Sequence, residues 1–354
     1  MAPIKVQKLE NEENWNHFIN DKDTKIQQTI QWRTVITNTY TNCKPEYYVA
    51  IKENKIIGIF PFFMIKSKIF DNRLISLPFI DTCGFLFKDD NALKYIIEKI
   101  KDEHQNTKLE IRLNTFLKNF NKTEKILLKQ GFKETKEKKQ AIIQLKPEEE
   151  MWNKFHKHTR NDIRKAEKSD LTIKIIDDEK ELLKFYKLYT HNMKAFGTPP
   201  HSYKFFQNMM ELMKCNFYGL NCYKDDKIIG SLILLHHKTQ GYIAFNASDN
   251  KYLQYRPNDL LYWQTIKWSI KNKIQYLDLG QVEINASEGS HALGLQRFKD
   301  KWLGDLYDRI YFNYPNNEGI SKKDKYKKLR KLWSMLPQFI IKRIGPKICS
   351  ELGI

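Results

Sequence analysis

A stretch of seven residues occurs twice, and this echo limits the fold more than any other feature of the chain: Lys52-Glu-Asn-Lys-Ile-Ile-Gly58 returns as Lys224-Asp-Asp-Lys-Ile-Ile-Gly230. In both places an apolar-aromatic run leads into a polar turn and out into another apolar run, the signature of a β-hairpin. The order of elements behind each copy also matches. After the first hairpin the pattern predicts strand Arg73 to Pro78, helix Ala92 to His104 and strand Lys108 to Leu113. A helix to Lys129, a Gly131-Phe132-Lys133 turn and a strand ending near Leu145 follow. After the second it predicts strand Tyr242 to Asn246, helix Pro257 to Lys271, strand Gln275 to Leu279, an Arg297-Phe298-Lys299 turn and strand Leu306 to Tyr314. Two copies of one α/β unit are the simplest account.

Between the copies the periodicity predicts a helix-rich insert. Glu148 to Lys168 reads as helix, Leu171 to Ile176 as strand, and Asp178 to Phe196 and His201 to Lys214 as helices, with a stop and restart at Gly197-Thr-Pro-Pro200. The domain boundary falls near Pro147. The segment Asn316 to Ile354 carries ten Lys/Arg against three acids and interleaves them with apolar residues, which predicts an amphipathic helix broken at Pro337.

With 354 residues, 41% of them hydrophobic and 13% aromatic, the chain can build two cores, and disorder is excluded as its main state. Sixty-one Lys+Arg against 42 Asp+Glu leave a net charge of +19, which suits polyanions: RNA, phosphorylated substrates or an anionic membrane face. Five cysteines without a Cys-x-x-Cys pair read as reduced thiols of a cytosol-like compartment, most of them buried as small hydrophobes. The N-terminal residues show no secretory signal. The longest uncharged apolar run, Ile56 to Ile65, is far short of the roughly 20 residues of a membrane span.

His156 and His158, and His236 and His237, are spaced so that each pair diverges, and no metal site is read there. The chain has neither a Gly-rich phosphate loop nor a Gly-x-Ser-x-Gly elbow, which removes support for nucleotide hydrolysis and serine nucleophile chemistry. Lys157, Arg160, Arg164 and Lys168 form one cationic stripe on a helix, fit for phosphates or simply solvated. Ala195-Phe-Gly-Thr-Pro-Pro200 would shape a pocket wall or serve as an interhelical turn. Tyr252, Tyr255, Arg256, Pro257 and Asn258 precede a helix start that suits an anion, or cap it in the ordinary way. Asp278 ends an interior strand, at a cleft or as a local hydrogen-bond acceptor. Arg297-Phe298-Lys299-Asp300-Lys301-Trp302 packs three cations and two aromatics into six positions, as nucleobase stacking beside a phosphate requires; a partly exposed strand start accounts for it equally.

The series Arg160-x-x-Ile-Arg-Lys-Ala-x-Lys168, Met193-Lys-Ala-Phe-Gly-Thr-Pro199, Tyr255-x-Pro-Asn-x-Leu-Leu-Tyr-Trp263, Asp278-Leu-Gly280 and Phe298-Lys-x-x-Trp-x-Gly304 resembles the FemABX superfamily. Its nearest group is the FemAB-related proteins described as tandem GNAT or BioF2-like acetyltransferase-domain proteins. Gly58-Ile-Phe-Pro61 and Arg73-Leu-Ile-Ser-Leu-Pro78 also fit, so the resemblance spans roughly residues 15 to 315. It implies an α/β fold of two tandem GNAT-like (acyl-CoA N-acyltransferase) domains with mixed central sheets, at residues 1–146 and 147–315, the second catalytic and carrying the insert 148–214. A basic helical tail follows at 316–354. It further implies a cytoplasmic aminoacyltransferase that moves an amino acid from aminoacyl-tRNA, its co-substrate in place of any cofactor, to an amine of a nucleotide- or lipid-linked murein or pseudomurein-type precursor.

In tRNA-using members the Phe-Lys pair, here Phe298 and Lys299, is tied to the aminoacyl end of the donor. Lys194 sits where an Arg is common, and Tyr255 lies in the region of an acceptor-contacting Tyr. Asn258, Arg160, Arg164 and Arg297 complete the expected substrate contacts, while Asp278 and Glu283 are candidates for the base. The coiled-coil arm of some staphylococcal-type members is absent. Two rivals are carried forward. One is a GNAT N-acyltransferase using acetyl-CoA or another acyl-CoA, for which neither half contains an Arg/Gln-x-x-Gly-x-Gly/Ala loop. The other is a non-catalytic RNA- or membrane-surface-binding protein, in which Trp333 and Phe339 of the tail rest on anionic headgroups at the inner membrane face, although the tail reads equally as a packing helix that covers the second domain.

Overall fold

The echoed residues build the same irregular hairpin twice. In a computed structural model that describes residues 2–20, 24–82, 84–284, 288, 291–315 and 333–353, β2 (Cys43–Lys52) turns into β3 (Lys55–Ile65) through Glu53 and Asn54, both at positive φ. β9 (Phe217–Lys224) turns into β10 (Lys227–His237) through Asp225, again at positive φ. In each the register skips one residue just after the turn, Ile57 in one hairpin and Ile229 in the other. The bulge twists the strand and brings the following glycine under a helix. A Cβ at Gly58 would lie 3.1 Å from Ala92 of α3 (Asp90–Glu103), and one at Gly230 would lie 3.1 Å from both Pro257 and Leu261 of α9 (Pro257–Lys271). The motif therefore specifies turn, bulge and helix seat together.

The chain divides into two compact units. Residues 2–140, 307–315 and 350–353 form the first; residues 141–306 and 333–349 form the second. In the first, β1 (Lys5–Lys8), α1 (Glu12–Asn20) and α2 (Ile30–Thr39) precede the hairpin, followed by β4 (Arg73–Ile75), β5 (Leu86–Phe87), α3, β6 (Lys108–Asn114) and α4 (Phe120–Lys129). Its sheet runs β1-β2-β3-β4-β6-β13, with β5 on β3, and its core gathers Tyr48, Phe60, Phe62, Ile96, Ile97 and Ile111. The last strand, β13 (Asp305–Tyr314), pairs antiparallel with β6 from Arg309↔Asn114 to Tyr314↔Leu109. The strand expected to close the second domain thus hydrogen-bonds in the first unit.

In the second unit β8 (Leu171–Ile175), α7 (Glu179–Ala195) and α8 (Tyr203–Leu212) precede the hairpin, and β11 (Gln240–Ser248), α9, β12 (Tyr276–Glu283) and α10 (His291–Asp300) follow it. The sheet order is β12-β11-β10-β9-β8. Much of the expected insert is therefore the second copy's own opening, because β8-α7-α8 repeats β1-α1-α2. The addition is α5 (Glu148–Lys154) and α6 (Lys157–Glu167), which follow β7 (Lys133–Gln144).

The single helix expected over Glu148 to Lys168 is broken at Phe155-His156, where the backbone is extended. Phe155 leaves the helical path to meet Trp263 and Trp302 edge-on, at 5.6 and 5.5 Å between ring centres. That aromatic burial outweighs the helical continuation. The expected turn at Arg297-Phe298-Lys299 is instead the last part of α10. The chain turns later, at Leu303, whose φ is +62°.

After Pro337 the chain forms α11 (Gln338–Leu352), which packs on the second unit. Ile341 is buried, a Cβ at Gly345 would lie 2.5 Å from Pro200, and Cys349 Sγ is 3.4 Å from His201 Nδ1. Cys43, Cys222 and Cys349 are buried thiols and Cys215 is exposed; Cys83, like residues 316–332 of the tail, lies outside the described residues. Among the described residues no helix is long and apolar enough to cross a membrane.

Candidate active site

The site follows from a parallel strand pair that parts. β11 and β12 pair only at Gln240↔Tyr276, Gly241↔Leu277 and Tyr242↔Asp278, although β11 continues to Ser248 and β12 to Glu283. At the parting, the register of β11 on β10 skips Ala244, a bulge that turns β11 aside. The facing stretches 243–248 and 279–283 therefore open a wedge between them.

Asp278 stands at the last pair. It is buried, and its Oδ1 accepts from the Gly280 N–H at 2.8 Å, a short turn that Gly280 completes at φ +83°. One residue on, Gln281 O accepts from Lys299 Nζ at 2.9 Å, and Lys299 is 5% exposed. Asp278 and Lys299 thus bond to the main chain of two consecutive residues, Gly280 and Gln281, of the diverging strand. Phe298 is half-buried against α9, with Tyr262 4.8 Å away in an edge contact and Trp302 at 6.1 Å. It seats α10 so that Lys299 reaches β12.

Two polar networks hold the wedge. Asn221 donates to Glu181 Oε2 (2.8 Å) and Ser231 Oγ donates to Asn221 Oδ1 (2.6 Å). Asn246 donates to Ser231 O (3.0 Å) and to Asn258 Oδ1 (3.2 Å), while Asn258 donates to Ser248 Oγ (3.2 Å). This ladder ties α7 through the sheet to the diverging part of β11 and the first turn of α9. Burial pushes the Glu181 carboxyl up, but hydrogen bonds from Tyr223, Asn221 and Lys184 outweigh it and hold the group at about 2.

The second network is ionic. Lys301 Nζ meets Asp259 and, at 3.3 Å, Asp162; Arg256 Nε lies 3.0 Å from Asp162. Burial raises the Asp259 carboxyl, and Lys301 opposes the rise. Sequence reasoning passed over Asp162, Asp259, Asn221, Ser231 and Asn246, and counted Lys301 only among the cations of its cluster. For Asn221, Ser231 and Asn246 the available signal was polar residues set within apolar strands.

The remaining expected residues lie elsewhere or serve differently. Asn258 belongs to the ladder and orients β11. Tyr255 is half-buried in the 3-10 turn Asn250–Tyr255, 5.7 Å from Lys224 Nζ. Arg297 is exposed on α10, and Lys194 is half-buried in the last turn of α7. The stripe is divided: Arg160 donates to Trp152 O (3.4 Å) and Asn153 O (3.2 Å), carbonyls released by the break after α5, and Arg164 stacks 5.3 Å over Trp152. Trp152 lines a separate groove of about 500 Å³ with Glu148, Glu149, Glu167, Trp263 and Lys267.

Between β11 and α9 the backbone donors of Lys251, Tyr252 and Arg256 are engaged inside the chain. Lys251 N bonds Asp249 Oδ1 (3.0 Å), Tyr252 N bonds Asp249 O (2.9 Å) and Arg256 N bonds Leu253 O (3.0 Å). Arg256, not glycine, takes the left-handed conformation before the helix, at φ +59°.

Residues 153–300 match the acetyltransferase (GNAT) domain family, from within α5 to the end of α10. This defines the class: the second unit is a GNAT-type acyltransferase domain. The whole chain has the tandem GNAT fold of FemX, with a TM-score of 0.72 at 13% identity over 92% of this chain and 100% of that one. It is also similar to L-PGS from Bacillus licheniformis (TM-score 0.58, 10% identity, 93% and 99% covered). A tandem GNAT protein from the clavulanic acid biosynthesis pathway, solved without acetyl-CoA, gives 0.57 at 7% identity over 90% and 100%. The protein is an acyltransferase with a tandem GNAT fold like that of FemX. No curated protein matches the chain.

Proposed function

We propose that the protein transfers an amino acid from aminoacyl-tRNA to an amine of a cell-wall precursor peptide. The observation that carries this reading is the buried ammonium of Lys299 against the diverging stretch of β12, beside a helix seated by Phe298. An aminoacyl ester is already activated. Catalysis then requires alignment with a neutral amine and stabilisation of the oxyanion formed on attack, with no covalent enzyme intermediate. Lys299 supplies the positive charge for that oxyanion, and Phe298 packs against the terminal adenosine. Asp278, fixed by Gly280, is the carboxylate at the wedge for the proton leaving the amine. Similarity in fold to FemX supports the reading.

The engaged N–H groups of Asp249, Lys251, Tyr252 and Arg256 weigh against an acyl-CoA donor, whose pyrophosphate needs free backbone donors before a helix. Titration separates the donors. Charged tRNA is expected to bind, with affinity falling steeply as salt rises because each neutralised phosphate releases counterions. Saturable binding of acetyl-CoA with a shallow salt slope, and none of charged tRNA, would overturn the assignment.

A lipid-linked acceptor is supported by the outer face of α11 and the residues before it, where Met335 and Phe339 are 68% and 72% exposed beside the exposed Lys342, Arg343 and Lys347. Such a face suits anionic headgroups. The protein is expected to sediment with phosphatidylglycerol vesicles, and the pair Met335→Ser and Phe339→Ser to release it; sedimentation unchanged by that pair would exclude the contact.

A further inference from the structure

The wedge of the second unit has a counterpart in the first, filled by residues Ser350 to Gly353 of the same chain. β4 and β6 pair in parallel at Arg73↔Lys108, Leu74↔Leu109 and Ile75↔Glu110. One more bond, Ser76 N to Glu110 O at 2.9 Å, precedes their parting. Arg112, beyond the last pair on β6, donates from Nη1 to Gly353 O (3.3 Å) and Ile80 O (3.4 Å), and the Phe79 N–H donates to Gly353 O (3.4 Å). Arg73 donates from Nη2 to Glu351 O (2.9 Å) and to Leu352 O. Asn42 Nδ2 donates to Ser350 O (3.3 Å), while Ser67 Oγ and, at 2.8 Å, the Lys68 N–H hold the Glu351 carboxylate.

Four consecutive residues are thus read through every main-chain carbonyl and one acidic side chain. The last carbonyls of a helix lack intrahelical partners and are ordinarily met by water or a local cap. Here two guanidinium groups, 3% and 6% exposed, serve instead, and Arg73 Nη1 is enclosed without a hydrogen-bond partner. Gly353 sits at φ +62° in a niche where a Cβ would lie 2.5 Å from Ile65 Cδ1 and 3.1 Å from Ile75 Cδ1. These features discriminate: carbonyl oxygens for the arginines, a carboxylate for Ser67 and Lys68, and a glycine at the narrow end.

We propose that the first unit is a peptide-binding module for short acidic, glycine-containing segments, and that residues Ser350 to Gly353 are its resident intramolecular ligand. A peptide offered in trans competes with a tail held at high effective concentration, so the intact chain masks the site.

The test is fluorescence anisotropy with a labelled Ser-Glu-Leu-Gly-Ile peptide and its scrambled form, on the full chain and on its Gly353→Val variant, in which the side chain and positive φ expel the tail. The variant is expected to bind the ordered peptide at least roughly tenfold more tightly than does the unaltered chain, by the lost effective concentration, and more tightly than the scrambled form. Arg73→Met added to Gly353→Val is expected to abolish that gain. A chain ending at Cys349 should behave as the Gly353→Val variant does. Equal affinity for both peptides, equal affinity of variant and unaltered chain, or no binding by a variant with native circular dichroism would each overturn the proposal and leave Arg73 and Arg112 as a helix cap alone.

Discussion

Replacing Lys299 by alanine is expected to lower turnover by on the order of 10²–10³, the effect of removing one oxyanion donor, with little change in KM for the donor. Lys299 reaches the wedge from α10 and bonds Gln281 O in the stretch of β12 that has left β11. Its charge acts on the oxyanion, which exists only once the amine has attacked, so its loss should appear in kcat. The stability cost is that of an unsatisfied carbonyl and lost burial, roughly 1–3 kcal/mol, small enough to leave a folded enzyme. Phe298→Ala should differ, because the ring seats α10 against Tyr262 and packs on donor adenosine; there KM rises as well. Mass spectrometry of cell-wall precursors incubated with a total charged-tRNA pool, with RNase as a control, gives the rates. Unaltered turnover in the Lys299→Ala enzyme would remove Lys299 from the chemistry.

How much of this was legible in the sequence differs between the fold and the site. Turn, bulge and helix seat are all local, so the echo at residues 52–58 and 224–230 carried the duplication and both hairpins. What escaped was set by contacts distant in sequence. Nothing near Phe155 breaks a helix, yet burial against Trp263 and Trp302 does. The pattern of β13 predicts a strand but not its partner, and β6 lies some two hundred residues upstream. At the site, the Phe298-Lys299 pair stands out by composition and by family resemblance, and Asp278 by its place at a strand end. Arg160 matched a phosphate stripe by spacing, but the carbonyls it serves are freed by a helix break that spacing did not reveal. The polar ladder was hidden because Asn221, Ser231 and Asn246 sit on different strands and make sense only once the sheet aligns them.

The ionic network makes Lys301 the second residue of large expected effect. Lys301→Met should cost roughly 3–5 kcal/mol, since it leaves buried carboxylates without their principal cation. Asp162 and Asp259 are 6% and 3% exposed, and Lys301 is the residue that meets both. Asp259 is already raised above the ordinary 3.8 by burial, with Lys301 opposing that rise. In the variant the opposition is gone and the folded-state pKa climbs further. A carboxyl raised on folding contributes stability that is present at low pH and lost as pH rises through its folded value. The difference in Tm between the unaltered protein and the variant should therefore be largest near pH 7, on the order of 10 °C, and narrow as the pH is lowered towards 5. Adding Asp259→Asn to Lys301→Met should recover much of the loss at pH 7, because a neutral amide no longer needs a buried cation. Thermal unfolding of the three proteins at both pH values decides it. A gap that persists unchanged at pH 5, or no recovery in the double variant, would mean that Lys301 acts through its contacts with Phe298 and Trp302, whose ring centres lie 4.8 and 5.7 Å from its ammonium.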